Sequence, residues 1–297
     1  MMTGIYNDIS IQDYHEKFKE SISATGIKLA KKSLKLWKWM QTHPNETKAH
    51  FEFGNAFELA LLDKENFKSQ VAILQTKYWV EKAMQEKPEL KVPKSSACYK
   101  AEESKFVSMN EGKYIIPDVG PQSFESIEYM LESCYRDSTI QKLITNTEYQ
   151  LSLFWTDPET GIMLKTRPDV CKRKKNVVVN LKTAIDGSPS AFSKDLAKYD
   201  YALQAAIEIR GCIATELMPW VDNYFWLVVE KEPPYNATLY EFDKSDQQYS
   251  LDELDYLLSK IKRAREEDLY PGYTDRASNE YGILTAQIPA YYKTIYS

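Results

Sequence analysis

Three features of this sequence predict an α/β protein built on a mixed central sheet flanked by helices. The first is segment order after residue 120: a helical stretch, three strands, a long helix and two more strands. The second is a strand-turn-strand unit at 162–170 and 176–183, whose arms are β-branched and apolar. Its turn, Cys171-Lys172-Arg173-Lys174-Lys175, is too charged to bury. The third is a run at 223–230 in which both alternating sets, Tyr224-Trp226-Val228 and Phe225-Leu227-Val229, are hydrophobic. A strand of that kind belongs in the interior of a sheet.

Taken in order, residues 23–41 predict a helix that Ser23 or Thr25 can cap, with Ile27, Ala30, Leu34 and Trp37 among its apolar positions. Lys28, Lys31, Lys32, Lys35 and Lys38 form a basic stripe along it. Residues 51–63 predict a second helix that sets Glu58 among Ala56, Phe57, Ala60 and Leu61. The stretch 64–120 reads as irregular, with a helix near 76–86. Residues 123–144 read as helical and lead into strands at 148–156, 162–170 and 176–183. Asp186-Gly187-Ser188-Pro189 then breaks the chain and caps a helix over 190–211, before strands at 223–230 and 236–242 and an amphipathic helix at 251–265. The Tyr-rich stretch 270–297 reads as a docking or oligomer-contact tail. These segments make one domain: a helical part over 1–120, a core over 121–267 and a tail over 268–297.

Composition narrows the function classes. With 297 residues, 43% of them hydrophobic, and 21 Tyr, 11 Phe and 6 Trp, the chain can bury a large core. A net charge of −5 does not suit a nucleic-acid coat protein, but it leaves room for a DNA enzyme with a local basic surface. No apolar run reaches membrane-spanning length and the first twenty residues are too polar for a signal peptide, so a cytoplasmic location without membrane contact is expected. Cys98, Cys134, Cys171 and Cys212 form no C-x-x-C pair, which argues for free thiols rather than a zinc ribbon or an iron–sulfur cluster.

The hairpin carries the chemistry. A turn centred on Lys174 and Lys175 sets Asp169 across from Asn180, and Lys182, two residues on, leaves the same face as Asn180. An acid, a second polar oxygen and an ammonium then converge, which is what a divalent metal activating water against a phosphodiester requires. Each also has a plainer reading. Asp169 can cap a turn, Asn180 can be a satisfied polar group, and Glu58 can be a helix residue in a salt bridge, since the next turn carries Asp63 and Lys64. Lys182 lies in an otherwise apolar strand, where a lysine is expensive unless paired or functional.

Pro168-Asp169 followed by Asn180-Leu181-Lys182 resembles the core motif of the PD-(D/E)xK nucleases. The segment Glu148–Gly161 resembles the strand and turn before that hairpin in RecE-type phage exonucleases, the exonuclease VIII group. Gly54-Asn55-Ala56-Phe57-Glu58 sits where that group carries Gly-x-x-x-His, Tyr201-Ala202-Leu203-Gln204 resembles its Gln-bearing helix, and Ser21–Lys28 resembles its first helix start. The match spans residues 20 to 240.

The resemblance implies a restriction-endonuclease-like α/β core and a Mg²⁺ site, with Mn²⁺ as a substitute. Its ligands would be Glu58, Asp169 and position 180, with Lys182, Asp169 and Gln204 as catalytic groups. Glu58 in place of His is similar to lambda-type exonucleases. Asn180 in place of an acid brings no negative charge, so impaired turnover is expected, with Asn180→Asp expected to restore it. Gln204 reads equally well as a core glutamine. Glu148 would lie behind the hairpin as a support to the metal ligands. Lys28, Lys32, Lys35, Arg167, Lys172 and Arg173 are DNA-backbone candidates, or ordinary surface charges.

The implied activity is digestion of linear duplex DNA from 5′ ends, leaving 3′ single strands for a single-strand annealing protein, by a ring-like homo-oligomer. The alternative is a catalytically inactive protein that binds double-stranded DNA ends on the same fold. A third possibility keeps only the architecture and uses the Tyr-rich surface for protein contact.

Overall fold

The computed structural model describes residues 3–43, 50–89, 91–273 and 283–288. Its elements run β1 (Gly4–Tyr6), α1 (Ile11–Glu16), α2 (Ala24–Lys32), α3 (Leu34–Met40), α4 (His50–Leu62), α5 (Lys64–Gln70), β2 (Val71–Leu74), α6 (Thr76–Glu86), α7 (Ala97–Met109) and β3 (Tyr114–Pro117). The second half runs α8 (Phe124–Arg136), α9 (Ser138–Ile144), β4 (Glu148–Tyr149), β5 (Ser152–Thr156), β6 (Met163–Thr166), β7 (Val170–Lys172) and β8 (Val177–Ala184). It closes with α10 (Pro189–Lys198), α11 (Tyr201–Ala214), β9 (Asn223–Glu230), β10 (Ala237–Glu241) and α12 (Lys244–Glu266).

A five-stranded mixed sheet, ordered β10-β9-β8-β7-β4, forms the core. Within this sheet only β8 and β9 are parallel, and the crossover between them is α10–α11. As its two hydrophobic faces require, β9 is interior, between β8 and β10. Val179 and Leu181 of β8 and Leu227 and Val229 of β9 face α4 and α8, while Val178, Tyr224, Trp226 and Val228 face α11. A second, antiparallel sheet, β1-β5-β6, packs with α2, α11 and α12 around Trp155 and Leu164. Among the described residues no helix is long and apolar enough to cross a membrane, and the four cysteines are free.

Several expected elements are broken, each by an identifiable residue. The helix expected over 23–41 is two helices, because Ser33 is extended (φ −170°, ψ 130°) and uses its hydroxyl to cap α3. Neither expected cap on the first of them holds: Ser23 occupies the cap position without a side-chain bond, and Thr25 lies inside α2. Asp137 divides 123–144 in the same way, accepting from the Thr139 and Ile140 N–H groups to start α9. The helix expected over 190–211 is interrupted at Asp200, which is left-handed (φ 51°). The last helix begins at Lys244 rather than 251, capped by Asp243.

The stretch 64–120 is not irregular: its described residues hold three α-helices, a 3-10 turn at Pro93–Ser95 and the parallel pair β2–β3. Of the tail, 274–282 and 289–297 lie outside the described residues. Its beginning docks on α3, where Tyr270 packs against Trp37 and the Pro271 carbonyl accepts the Lys35 N–H.

The largest departure lies in the hairpin. Residues 148–156 and 162–170 each split, so that β4 and β7 join the five-stranded sheet while β5 and β6 pair in the other. Both arms break at the same level. Gln150 is left-handed (φ 54°), Pro168 has no N–H for a ladder, and the Gln150 N–H reaches the Asp169 carbonyl at 3.3 Å. The corner between the sheets is therefore where Arg167, Asp169 and Gln150 emerge.

α11 is wedged into that corner. Its Gly211 lies against β5 and β6 so closely that an added Cβ would stand 2.7 Å from Thr166 Cγ2 and 2.8 Å from Trp155 Cζ3. Gly211→Ala is expected to cost about 1–3 kcal/mol through overpacking, read as a lower midpoint in urea denaturation.

Candidate active site

The register of β7 and β8 pairs Val170 with Val179 and Lys172 with Val177, and one further step places Asp169 opposite Asn180. Asp169 Oδ2 accepts the Leu181 N–H at 2.7 Å. The two-residue period of β8 puts Asn180 and Lys182 on the face covered by α11. There Asn180 Nδ2 donates to Glu208 Oε1 at 3.1 Å, and Lys182 Nζ donates to Gln204 Oε1 at 3.4 Å. Lys182 Nζ also sits 4.5 Å from the centre of the Tyr201 ring, and Lys28 Nζ sits 5.6 Å from it.

Glu58 comes from α4, whose Gly54 passes close to β8 with only Thr183 Oγ1 near its missing Cβ, at 3.5 Å. The Glu58 carboxylate accepts from the Gln150 amide. Gln150 Oε1 in turn accepts from Arg167 Nε at 2.6 Å, and Arg167 Nη1 reaches the Ile9 carbonyl at 3.0 Å. The break in the ribbon thus aims Arg167 inward and ties it to the carboxylate of another element.

At the floor, Asn180 is 0% and Glu208 1% exposed. Glu208 accepts from Asn180, from Gln204 Nε2 at 2.9 Å and from the Tyr224 hydroxyl at 2.8 Å. Asn180 Oδ1, by contrast, is buried with no hydrogen-bond partner. An unmet buried acceptor costs about 1–3 kcal/mol, so an oxygen left in that state wants an explanation.

Burial first and the charge of Asp169 second push the Glu58 carboxyl well above its usual range, while Lys182 and Arg167 oppose the shift. Asp169 is raised by burial against the pull of Lys182, the Leu181 N–H and Arg167. Glu208 is raised to about 7, by burial and then by Asp169. Lys28 is lowered to about 8, by burial and then by the Lys182 charge. Three carboxyls and three cations thus act on one another in a partly buried region, the kind of place where perturbed groups mark function.

Among the described residues no three His, Cys, Asp or Glu side chains cluster tightly enough to hold a metal by themselves. The donors present are nevertheless all oxygen: Asp169, Glu58 and the orphaned carbonyl oxygen of Asn180. That set fits a hard divalent cation completed by water.

The structure thus brings together Glu58, Asp169, Asn180, Lys182, Gln204 and Arg167, with Lys28 at the edge. Lys32 and Lys35 lie on the exposed side of α2 and α3. Lys172 donates to the Lys142 and Thr145 carbonyls at 2.6 and 2.8 Å, closing the end of α9. Arg173 pairs with Glu148 at 3.1 Å at the turn end of the hairpin, which keeps Glu148 off the ligand cluster. Glu208 and Tyr224 are site residues the sequence reading missed. The available signal was a carboxylate one helical turn beyond Gln204, in a helix otherwise made of Ala, Leu and Ile at those positions.

A mixed sheet flanked by helices, with acid, amide and lysine on one hairpin, defines a restriction-endonuclease-like α/β protein. More narrowly, the chain belongs to a family described as a PDDEXK-like domain of unknown function (DUF3799), whose model matches residues 23–280. A crystal structure from Eubacterium rectale, provisionally named an exonuclease, is similar with a TM-score of 0.57 at 11% identity, covering 98% of this chain and 99% of that one. A phage-related exonuclease from Haemophilus somnus 129PT aligns at 10% identity over 66% of this chain and 96% of its own. Its TM-score of 0.30 carries no weight for the fold. No curated protein matches in sequence.

Removing one donor from the buried carboxylate should be visible in stability alone. Tyr224→Phe is expected to destabilise the fold by about 1–3 kcal/mol, measured by urea denaturation in the absence of divalent cations.

Proposed function

We propose that this chain is a metal-dependent exodeoxyribonuclease of RecE type, acting on linear duplex DNA from its ends. The observation that carries this reading is that Asp169, at the break between two sheets, stands opposite Asn180 with its orphaned Oδ1, with Lys182 on the same face of β8 and Glu58 near enough to feel both the Asp169 and Lys182 charges. Its membership of a PDDEXK-like family supports it. So does the name of the Eubacterium rectale structure, which is that of an exonuclease.

In this reading Glu58, Asp169 and Asn180 Oδ1 hold Mg²⁺, or Mn²⁺ in its place. When bound, such an ion would supply a water of lowered pKa and positive charge for phosphodiester hydrolysis. Lys182 has the geometry of a fixed point charge: the Tyr201 ring and Gln204 Oε1 hold its ammonium, so little reorganisation is needed to meet charge developing on the phosphate. Gln204 is then a positioning residue that spans Lys182 and Glu208. Lys28, sharing the Tyr201 ring, extends the positive charge toward the DNA backbone. Digestion 5′ to 3′, handing of the 3′ strand to an annealing protein, and a ring-like homo-oligomer complete the proposal.

A second reading, an inactive protein that binds double-stranded DNA ends, is favoured by one observation: position 180 carries no charge. The two part on a single assay. Linear and covalently closed duplex are incubated with Mg²⁺ or EDTA. The nuclease reading expects metal-dependent loss of the linear form only, and a drop on the order of 10²–10³-fold for Lys182→Ala and for Asp169→Ala. Retention of linear DNA by the wild type under Mg²⁺ and Mn²⁺, with DNA ends still bound, would leave the binding reading in its place.

A further inference from the structure

The placement of Glu208 beneath Asn180 answers what the missing charge at position 180 means. A carboxylate only accepts hydrogen bonds, so the Asn180 amide must turn Nδ2 toward Glu208, at 3.1 and 3.4 Å from its two oxygens. Oδ1 is then forced to the opposite side, where no donor meets it. Glu208 itself cannot swing away. Tyr224 holds Oε2 and Gln204 holds Oε1, from a strand and from its own helix.

We propose that Glu208 carries the negative charge that Asn180 lacks, and that Asn180 relays it by presenting Oδ1 as a neutral but oriented ligand oxygen to the cation. The charge has moved from the strand to the helix behind it, and the amide is what allows it to sit there. An Asp at position 180 would put two carboxylates in contact in a site with almost no solvent, where both cannot be charged without heavy cost. Asn180 and Glu208 are thus a matched pair, and the chain is not a disabled form of an Asp-bearing one. Asn180→Asp alone is accordingly not a repair, contrary to the expectation from sequence. Glu208 is a positioning residue here, acting on the cation through Asn180, and this inference rests on the metal-site reading above.

The test is Mn²⁺ binding to the full chain without DNA, followed by the electron paramagnetic resonance signal of free Mn²⁺. Four proteins are compared: wild type, Asn180→Asp, Glu208→Gln, and the double exchange Asn180→Asp with Glu208→Gln. Melting temperatures are recorded for all four. Glu208→Gln should weaken Mn²⁺ binding by about tenfold or more, and the double exchange should return it to within about threefold of wild type. Asn180→Asp alone should melt below both wild type and the double exchange. Should Glu208→Gln fail to fold, the comparison of Asn180→Asp with the double exchange still decides.

The inference is overturned if Asn180→Asp alone binds Mn²⁺ more tightly than the double exchange and melts no lower than wild type. Unchanged affinity in folded Glu208→Gln, or no Mn²⁺ binding by the wild type, overturns it as well. Cleavage of linear duplex, measured in parallel, separates the two proposals. Coupled Mn²⁺ binding without cleavage keeps this inference and removes the nuclease reading, and cleavage without coupling does the reverse.

Discussion

A carboxylate buried in the middle of an apolar helix needs donors, and satisfying Glu208 organises much of this protein. α11 is hydrophobic nearly all round, with Leu203 and Ile207 turned to one cluster and Ala205, Ile209 and Cys212 to another. Small residues let it approach both sheets, and Gly211 touches Trp155 and Thr166 with no room for a methyl group. Water is excluded there, so Glu208 must find its partners inside the fold. Asn180 from β8, Tyr224 from β9 and Gln204 from the preceding turn supply them. The parallel pair and its crossover helix are thereby locked in register through one side chain. Lys182 joins the same network through Gln204.

The other constraint is the split ribbon. A continuous two-stranded ribbon of β4–β5 with β6–β7 would leave Asp169 in a regular ladder, with its side chain committed to one sheet face. Breaking both arms at Gln150 and Asp169 places a backbone corner between two sheets instead. Arg167 turns inward across that corner to Gln150, and Gln150 reaches Glu58 on α4. A left-handed non-glycine residue is uncommon and carries strain, so its place between Glu58 and Arg167 fits a backbone held by its surroundings.

How much of this could be read from the sequence depends on what each signal measures. The register of Asp169 against Asn180 was legible because strand alternation and a charged turn fix the pairing. The interior position of β9 was legible because both of its faces are apolar. Helix breaks at Ser33, Asp137 and Asp200 were not, since one polar residue barely disturbs a helical period that continues on either side. The pair β2–β3 was hidden by the forty or so residues between its parallel strands. The basic residues misled for a different reason. Lysine and arginine on paper look available for phosphate, yet Lys31 binds Asp200 and Glu253, and Lys172 closes a helix end. Glu208 escaped because a lone acid in an apolar helix reads as an exposed edge until the third element covering it is known.

The charge balance around Asn180 suits an amide at position 180 to the proposed cation site. Glu58, Asp169 and Glu208 are each pushed up by burial, and each is relieved in part by Lys182. A fourth carboxylate at position 180 would add repulsion to all three, with only Lys182, Arg167 and Lys28 to offset it. An amide adds a dipole instead, and its direction is set by the one carboxylate it can donate to. For a hard cation an oriented carbonyl oxygen is a true ligand, weaker than a carboxylate but backed in this proposal by the Glu208 carboxylate about one hydrogen bond further away. Through-space attraction falls only inversely with distance while desolvation removes most screening, so moving the charge back by one hydrogen bond weakens its pull without abolishing it. What the proposed site loses in direct ligand charge it recovers in part through rigidity, because Asn180 Nδ2 is committed to Glu208 and Glu208 is fixed in turn by Gln204 and Tyr224.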